Sequence, residues 1–199
     1  MIKVGIIGAG RIGKVHCQSI GYIKDVVVEA IADPKINEEI KIWASKIGIK
    51  KVYDDYREIL NDKEITAVLI CSSTDTHSQI SLEAIAAGKH VFCEKPVDHS
   101  VTKIMEVMKA LKNSKVKYQV GFNRRFDHNF AAARKAVAAG KIGELNILKI
   151  TSRDPAPPPV NYIACSGGIF LDMTIHDFDM VRFMSGAEVE EVYAIGGVM

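Results

Sequence analysis

The chain has 199 residues, with 26 Lys and Arg against 24 Asp and Glu for a formal charge of +2, and 48% of its residues are hydrophobic. That length and composition suit one full globular domain followed by a smaller or incomplete second one. The basic residues are dispersed and no apolar stretch reaches bilayer length, so neither a nucleic acid nor a membrane is expected as a partner.

The apolar run at residues 1–8 is too short for a secretory leader and has no small-residue cleavage pattern after it. Cys17, Cys71, Cys93 and Cys165 form no C-x-x-C pair, and no histidine stands at zinc-ligand spacing from them. The expectation is a reduced, cytoplasmic protein without a bound metal.

In chain order, short β-branched runs alternate with amphipathic stretches, the signature of βαβ units and a parallel sheet. Residues 3–7, 26–32, 67–71, 90–93 and 117–120 read as strands. Residues 12–22, 37–46, 76–87 and 101–112 read as the helices between them, with Gly88 as a C-terminal stop. The rhythm changes after Phe122. Residues 129–139 predict a helix ended by Gly140, 145–151 a strand, 152–159 a proline-rich loop, 168–184 a helix and 189–195 a strand. The fold class is therefore α/β: a doubly wound parallel sheet over residues 1–121, followed by a second α/β domain over residues 122–199.

Gly8-Ala9-Gly10-Arg11-Ile12-Gly13 is a G-x-G-x-x-G pattern that leaves a predicted strand and opens a predicted helix. The first glycine permits the tight turn, the second the approach of a pyrophosphate, and the third close helix–strand packing, while the helix N-terminus offers free N–H groups. Asp33 ends the second predicted strand twenty residues after Gly13, where a carboxylate can accept from ribose hydroxyls. The bland alternative is a glycine-rich turn with Asp33 capping the next helix. Asp33 favours NAD over NADP, and Lys35 pulls the other way by offering a cation to a 2′-phosphate.

Ligands of open α/β sheets lie at the carboxyl ends of the strands. After the third predicted strand come Ser72, Ser73, Thr74, Asp75, Thr76 and His77. Ser72, Thr74 and His77 are candidates to line a cofactor, the alternative being helix capping by Thr74 or Asp75 with His77 packed in the first turn. After the fourth predicted strand come Glu94-Lys95-Pro96, where proline biases Lys95 toward an extended backbone. Farther on, Asp172 and His176 are four residues apart in a predicted helix, so a carboxylate and an imidazole share one face. That pair suits proton removal from an alcohol, the alternative being a capping acid and a core histidine.

Gly8–Gly13, Glu94-Lys95-Pro96 and Gly167-Gly168 followed by Asp172 and His176-Asp177 together resemble the Gfo/Idh/MocA oxidoreductase family. Residues 151–159 and 166–179 are similar to its inositol-oxidising branch. The resemblance implies a Rossmann domain joined to an open-sheet α/β domain, with NAD as cofactor. It implies oxidation of a ring secondary alcohol of myo-inositol to a keto-inositol, or, as alternative, of a related sugar or cyclitol. By the same resemblance His176 is the general base, Asp172 orients it and binds substrate, and Lys95 contacts the reacting hydroxyl. Glu94 and Lys95 also belong to the cofactor site, with Gly8, Gly10, Arg11, Ile12 and Gly13. One arginine of the Arg124-Arg125 pair contacts the polyol, and Arg125 is the preferred one.

Members of this family are longer than this chain, so residues 122–199 are expected to form a partial domain lacking later strands. Open sheet edges then predict self-association into a homo-oligomer. They also leave room for a different class of protein, a truncated dinucleotide-binding chain without turnover.

Overall fold

The structure is a computed structural model that describes residues 1–163 and 166–197; Cys165 therefore lies outside the described residues. It divides into one unit from Met1 to Gly121 and a second from Phe122 onward.

The first unit is built on six parallel strands. They are β1 (Ile2–Ile7), β2 (Val26–Ala32), β3 (Lys51–Tyr53), β4 (Ala67–Ile70), β5 (His90–Cys93) and β6 (Tyr118–Val120), in the spatial order β3-β2-β1-β4-β5-β6. This is the Rossmann order, and the chain reverses its direction of growth between β1 and β4. Ile7 at the end of β1 is registered with Ala32 of β2 and Ile70 of β4, which aligns the three strand ends. The loops after those strands therefore open onto one crevice. The short β3 and the five-residue helix α3 (Arg57–Asn61) were not among the elements the sequence predicted. Three residues are too few to display a period.

Helices α1 (Arg11–Ile20), α2 (Glu38–Lys46), α4 (Thr74–Ala86) and α5 (Val101–Lys112) are the long connections. Alternation along β1 explains the two-sided core. Ile7 packs with Ile59, Leu60, Ile80 and Ala84 on one face, and Val4 and Ile6 pack with Cys17, Ile20 and Ala44 on the other. Full burial of each valine, leucine or isoleucine side chain is worth about 2 kcal/mol. Toward the other end of the strands from the crevice, the buried Glu29 lies 3.4 Å from Lys51 Nζ and 3.7 Å from Lys3 Nζ. Lys51 in turn donates to Asp62 at 2.7 Å, and that bond holds the Asp62 carboxyl below the ordinary carboxylate range.

In the second unit, a 3₁₀ turn (Asn123–Phe126) leads into α6 (His128–Ala138), where Asp127 caps the helix by accepting from the N–H groups of Asn129 and Phe130 at 2.9 and 3.1 Å. A short α7 (Val160–Ile163), a π-helical turn (Phe170–Thr174) and α8 (Ile175–Ser185) follow. Gly186, left-handed with φ +71°, ends α8. The single α-helix expected over residues 168–184 is thus interrupted by a wider turn, in which the Thr174 hydroxyl donates to the carbonyl of Ile169 at 2.9 Å.

Residues 145–151 and 189–195, expected as strands, do not form them. Both runs have the right composition, but a strand exists through its ladder, and neither run has one among the described residues. Ile147 and Tyr193 stand 85% and 88% exposed as a result.

Candidate functional site

The glycine loop between β1 and α1 shows why each glycine is there. At Gly8 φ is +109° and a Cβ would come within 2.5 Å of the Cys71 carbonyl oxygen. At Gly13 a Cβ would sit 1.9 Å from the Gly8 carbonyl oxygen, so helix and loop touch backbone to backbone. Gly10 is different: its φ is −70° and a Cβ would meet nothing within 4 Å. The protein itself does not need a glycine at position 10. The space a side chain would fill is the cradle a pyrophosphate requires, and α1 starts there with no side-chain cap and no acidic residue in its first turn. The backbone N–H groups at Arg11, Ile12 and Gly13 are thereby left for an anion.

Asp33, at the end of β2, accepts from the Ala9 N–H through Oδ2 and from the Lys35 N–H through Oδ1, both at 2.8 Å. Its carboxylate is fixed beside the loop with lone pairs remaining for a ribose. The adjoining cleft, about 980 Å³, is lined by Gly8, Asp33, Lys35, Tyr56, Ser72 and Thr76 among others. A nucleoside fits such a volume. Four carboxylates line the cleft (Asp33, Asp54, Asp55 and Asp75) against two cations, Lys35 and Arg57, a balance that opposes a 2′-phosphate. Tyr56 was not foreseen. Burial, with help from Glu83, pushes its phenol up to about 12, so it presents a neutral hydroxyl.

At the end of β4 the Thr76 hydroxyl donates to the Ser73 carbonyl, so the 2.7 Å contact between Ser72 and Thr76 has Ser72 as donor. Ser73, not Thr74 or Asp75, is the N-cap residue, and Thr74 opens α4. His77 turns inward. It is 2% exposed and its ring nitrogens face the carbonyl oxygens of Pro96 and Ser72 at 2.8 and 3.0 Å. At the end of β5, Glu94 Oε1 lies 2.7 Å from Nε2 of His16, whose ring meets Phe92 edge-on. His16 sits on α1, and only the tertiary fold brings it to Glu94; linear spacing holds no signal for the pair. Lys95 follows, half-buried, joined to Pro96 by a cis peptide bond.

Within the second unit, Asp172 lies in the π-helical turn and accepts from the Tyr162 hydroxyl at 2.8 Å. His176 is the second residue of α8. Four residues in either helix type return to nearly the same side of the helix axis. The two arginines are both committed. Arg124 pairs with Asp177, which also accepts from Ser152 at 2.7 Å. Arg125 makes a two-pronged contact with the buried Asp179, Nε at 2.8 Å and Nη2 at 2.7 Å, and lies over the Phe183 ring. Arg124, not Arg125, lines this unit's cavity of about 540 Å³, together with Phe130, Ser152, Met173 and Met180.

The thiols of Cys17 and Cys93 are pushed up to about 11 by burial, so these cysteines are inert core groups. Among the described residues no helix is long and apolar enough to cross a membrane.

A Rossmann sheet with an open glycine cradle and an acid at the second strand end defines an NAD-binding α/β protein. Residues 2–122 match the Gfo/Idh/MocA oxidoreductase family with NAD-binding Rossmann fold, and residues 130–199 match the Gfo/Idh/MocA C-terminal domain. The chain belongs to this family. It is 47% identical to the myo-inositol 2-dehydrogenase of Thermotoga maritima over 100% of this chain and 59% of that protein. A structure described as a probable dehydrogenase from Thermotoga maritima superposes with a TM-score of 0.96 at 47% identity, over 100% of this chain and 59% of that one. The scyllo-inositol dehydrogenase of Lactobacillus casei, solved with NAD(H) and scyllo-inositol, superposes with a TM-score of 0.83 at 34% identity, over 94% and 56% of the two chains. This chain therefore spans somewhat under three fifths of the length of the relatives it matches.

Proposed function

We propose that the protein to which this chain belongs oxidises a ring secondary alcohol of an inositol, myo-inositol first, to a keto-inositol. The observation that carries this reading is the likeness to an inositol 2-dehydrogenase along the whole chain, with Lys95 placed directly beyond a Rossmann strand end and Asp172 and His176 on one helical face. NAD, when bound, supplies the hydride acceptor. The N–H groups at the start of α1 would hold its pyrophosphate beside Gly10, and Asp33 would accept from its adenosine ribose.

His176 takes the hydroxyl proton through its imidazole, and Asp172, steadied by Tyr162, keeps that ring oriented and binds the polyol. The Lys95 ammonium favours negative charge developing on the reacting oxygen. Glu94 is held by His16 next to Lys95 in sequence. Free thiols at Cys17, Cys71 and Cys93 suit a reducing compartment such as the cytoplasm.

A second reading, a dinucleotide-binding chain without turnover, is favoured by one observation: the apolar runs at 145–151 and 189–195, which have no strand partner among the described residues. The same runs support self-association, which light scattering after size exclusion would test; a well-folded monomer would sink that part. For the activity, the purified chain is mixed with NAD and myo-inositol, scyllo-inositol or glucose, and NADH is followed by absorbance against a no-polyol control. Inositol-dependent NADH supports the main reading. NAD binding without turnover on any polyol supports the second.

A further inference from the structure

We propose that His16 is a positioning residue for the reaction: from α1 it braces the Glu94 side chain and so ties the segment carrying Lys95 to the helix that opens at the glycine loop. Phe92 in β5 and Glu94 just beyond it are two residues apart and face one side of the sheet, while Val91 and Cys93 pack into the core on the other. His16 meets both from α1. Its Nε2 lies 2.7 Å from Glu94 Oε1, and its ring stands edge-on to Phe92 with the centroids 5.1 Å apart. A carboxylate only accepts, so the His16 Nε2–H donates. One ring N–H suffices for that bond, whatever charge the ring bears. The two side chains are 23% and 21% exposed, which shields the bond from competing water.

Gly121, just past β6, closes the opposite side of the same carboxylate. A Cβ there would stand 3.0 Å from Glu94 Oε2, 3.1 Å from Glu94 Cδ and 3.1 Å from Phe92 Cζ. Gly121 has no positive φ, so its backbone does not call for glycine. The room taken by Glu94 and Phe92 does. The Gly121 N–H donates to the Cys93 carbonyl at 2.8 Å and the Glu94 N–H to the Ile70 carbonyl at 3.0 Å, so the sheet's hydrogen bonding runs up to Glu94. Lys95 is the next residue and lies outside the strands. On the other partner, α1 begins at Arg11 without a side-chain cap, and His16 follows five residues later on the same helix. Hydride transfer needs a set distance between a nicotinamide anchored through α1 and a hydroxyl anchored through Lys95. The His16–Glu94 bond joins those two anchoring segments directly. His16 therefore acts through Glu94 and Lys95.

The effect on turnover rests on the reading of Lys95 as the group beside the reacting hydroxyl; the brace itself does not. His16→Phe keeps a ring against Phe92 but drops the N–H, His16→Gln keeps a donor, and Gly121→Ala presses on the carboxylate from the far side. In ¹H–¹⁵N correlation spectra of the labelled chain, the Glu94 and Lys95 backbone amides are expected to shift in His16→Phe and to shift less in Gly121→Ala. Once Glu94→Ala is present, His16→Phe should move the Lys95 amide no further. An unmoved Lys95 amide in His16→Phe overturns the proposal even where no turnover is measurable, and so does an equal shift in the Glu94→Ala background. Where inositol-dependent NADH forms, kcat is expected to fall about 10- to 100-fold in His16→Phe and to stay within about threefold in His16→Gln, with the urea midpoints of both nearly unchanged. Equal loss of kcat in the two variants, or an unchanged kcat in His16→Phe, overturns the positioning role. Absence of turnover in the unaltered chain counts against the proposed reaction and leaves the amide result to decide the brace. Should His16→Phe fail to fold, Gly121→Ala is read in its place, and an unmoved Lys95 amide there overturns the proposal.

Discussion

Asp33 Oδ2 accepts the backbone N–H of Ala9 at 2.8 Å, so the acid that ends β2 also holds the middle of the glycine loop. Its other oxygen accepts from the Lys35 N–H. Asp33→Asn offers one oxygen where two backbone donors wait, and its amide would face the second donor. The weakened backbone bonds lower stability, and loss of one charge-assisted bond to the ribose, about 1.5–3 kcal/mol, corresponds to about 10- to 100-fold weaker NAD binding. Calorimetric titration should show that loss together with a lower melting temperature. Unchanged NAD affinity would remove Asp33 from the cofactor site.

The glycines separate folding from binding. Gly13→Ala places a methyl 1.9 Å from the Gly8 carbonyl oxygen and must push α1 off the sheet, so it should cost several kcal/mol in chemical denaturation. Gly10→Ala meets nothing within 4 Å and is expected to leave the denaturation midpoint unchanged while weakening NAD at least about 10-fold. Undiminished binding by Gly10→Ala would show that the pyrophosphate does not approach there.

Much of the first unit was legible because its signals are local. Strand runs, the glycine fingerprint and Asp33 all announce themselves within a few residues. His16 beside Glu94 and His77 between two carbonyls were not legible as contacts, since each joins segments that only the sheet brings together. The π-helical turn at Asp172 was hidden because four-residue spacing suits both helix types. Runs 145–151 and 189–195 misled for the opposite reason: their composition is that of strands, but pairing is not a property of one segment.

Lys95→Ala is expected to abolish turnover while leaving NAD affinity nearly intact. In the proposed reaction the ammonium serves the reacting oxygen, and the NAD affinity is expected from the loop and Asp33. Stopped-flow NADH formation and a binding titration read the two effects separately. Turnover at the original rate would take Lys95 out of the mechanism.

Stability should fall on the acid side. Asp98 and Asp62 both titrate below their ordinary value in the folded chain, Asp62 through Lys51 and Asp98 through Ser78, Ser100 and Lys103 despite burial. A depressed folded value means the unfolded chain takes up protons first. The contribution is therefore complete above the unfolded value near 3.9 and is lost as pH drops through the folded values. Urea midpoints should be flat from about pH 5 to 7 and decline below about pH 4. Asp98→Asn should lower stability at pH 7 by about 1–2 kcal/mol and flatten part of that decline. A decline of unchanged depth in that variant would clear Asp98.

Arg125 decides between two uses of one guanidinium. The sequence favoured it as a polyol contact, but it grips the buried Asp179 with two bonds and lies over Phe183, and the pairing raises the Arg125 guanidinium value further. Removing it strands a carboxylate that is 5% exposed. Arg125→Ala should therefore cost about 3 kcal/mol, and Asp179→Ala a similar amount. The double variant Arg125→Ala/Asp179→Ala should cost less than the sum of the two, because neither charge is left alone. Arg124→Ala also removes the partner of Asp177 and should cost stability, but it alone of the two arginines lines the second unit's cavity, so it is the variant expected to raise KM for the polyol as well. Urea denaturation and steady-state kinetics on the four proteins separate the roles. A rise in KM for Arg125→Ala at an unchanged urea midpoint would return Arg125 to the substrate and leave Asp179 with a lesser part in the fold.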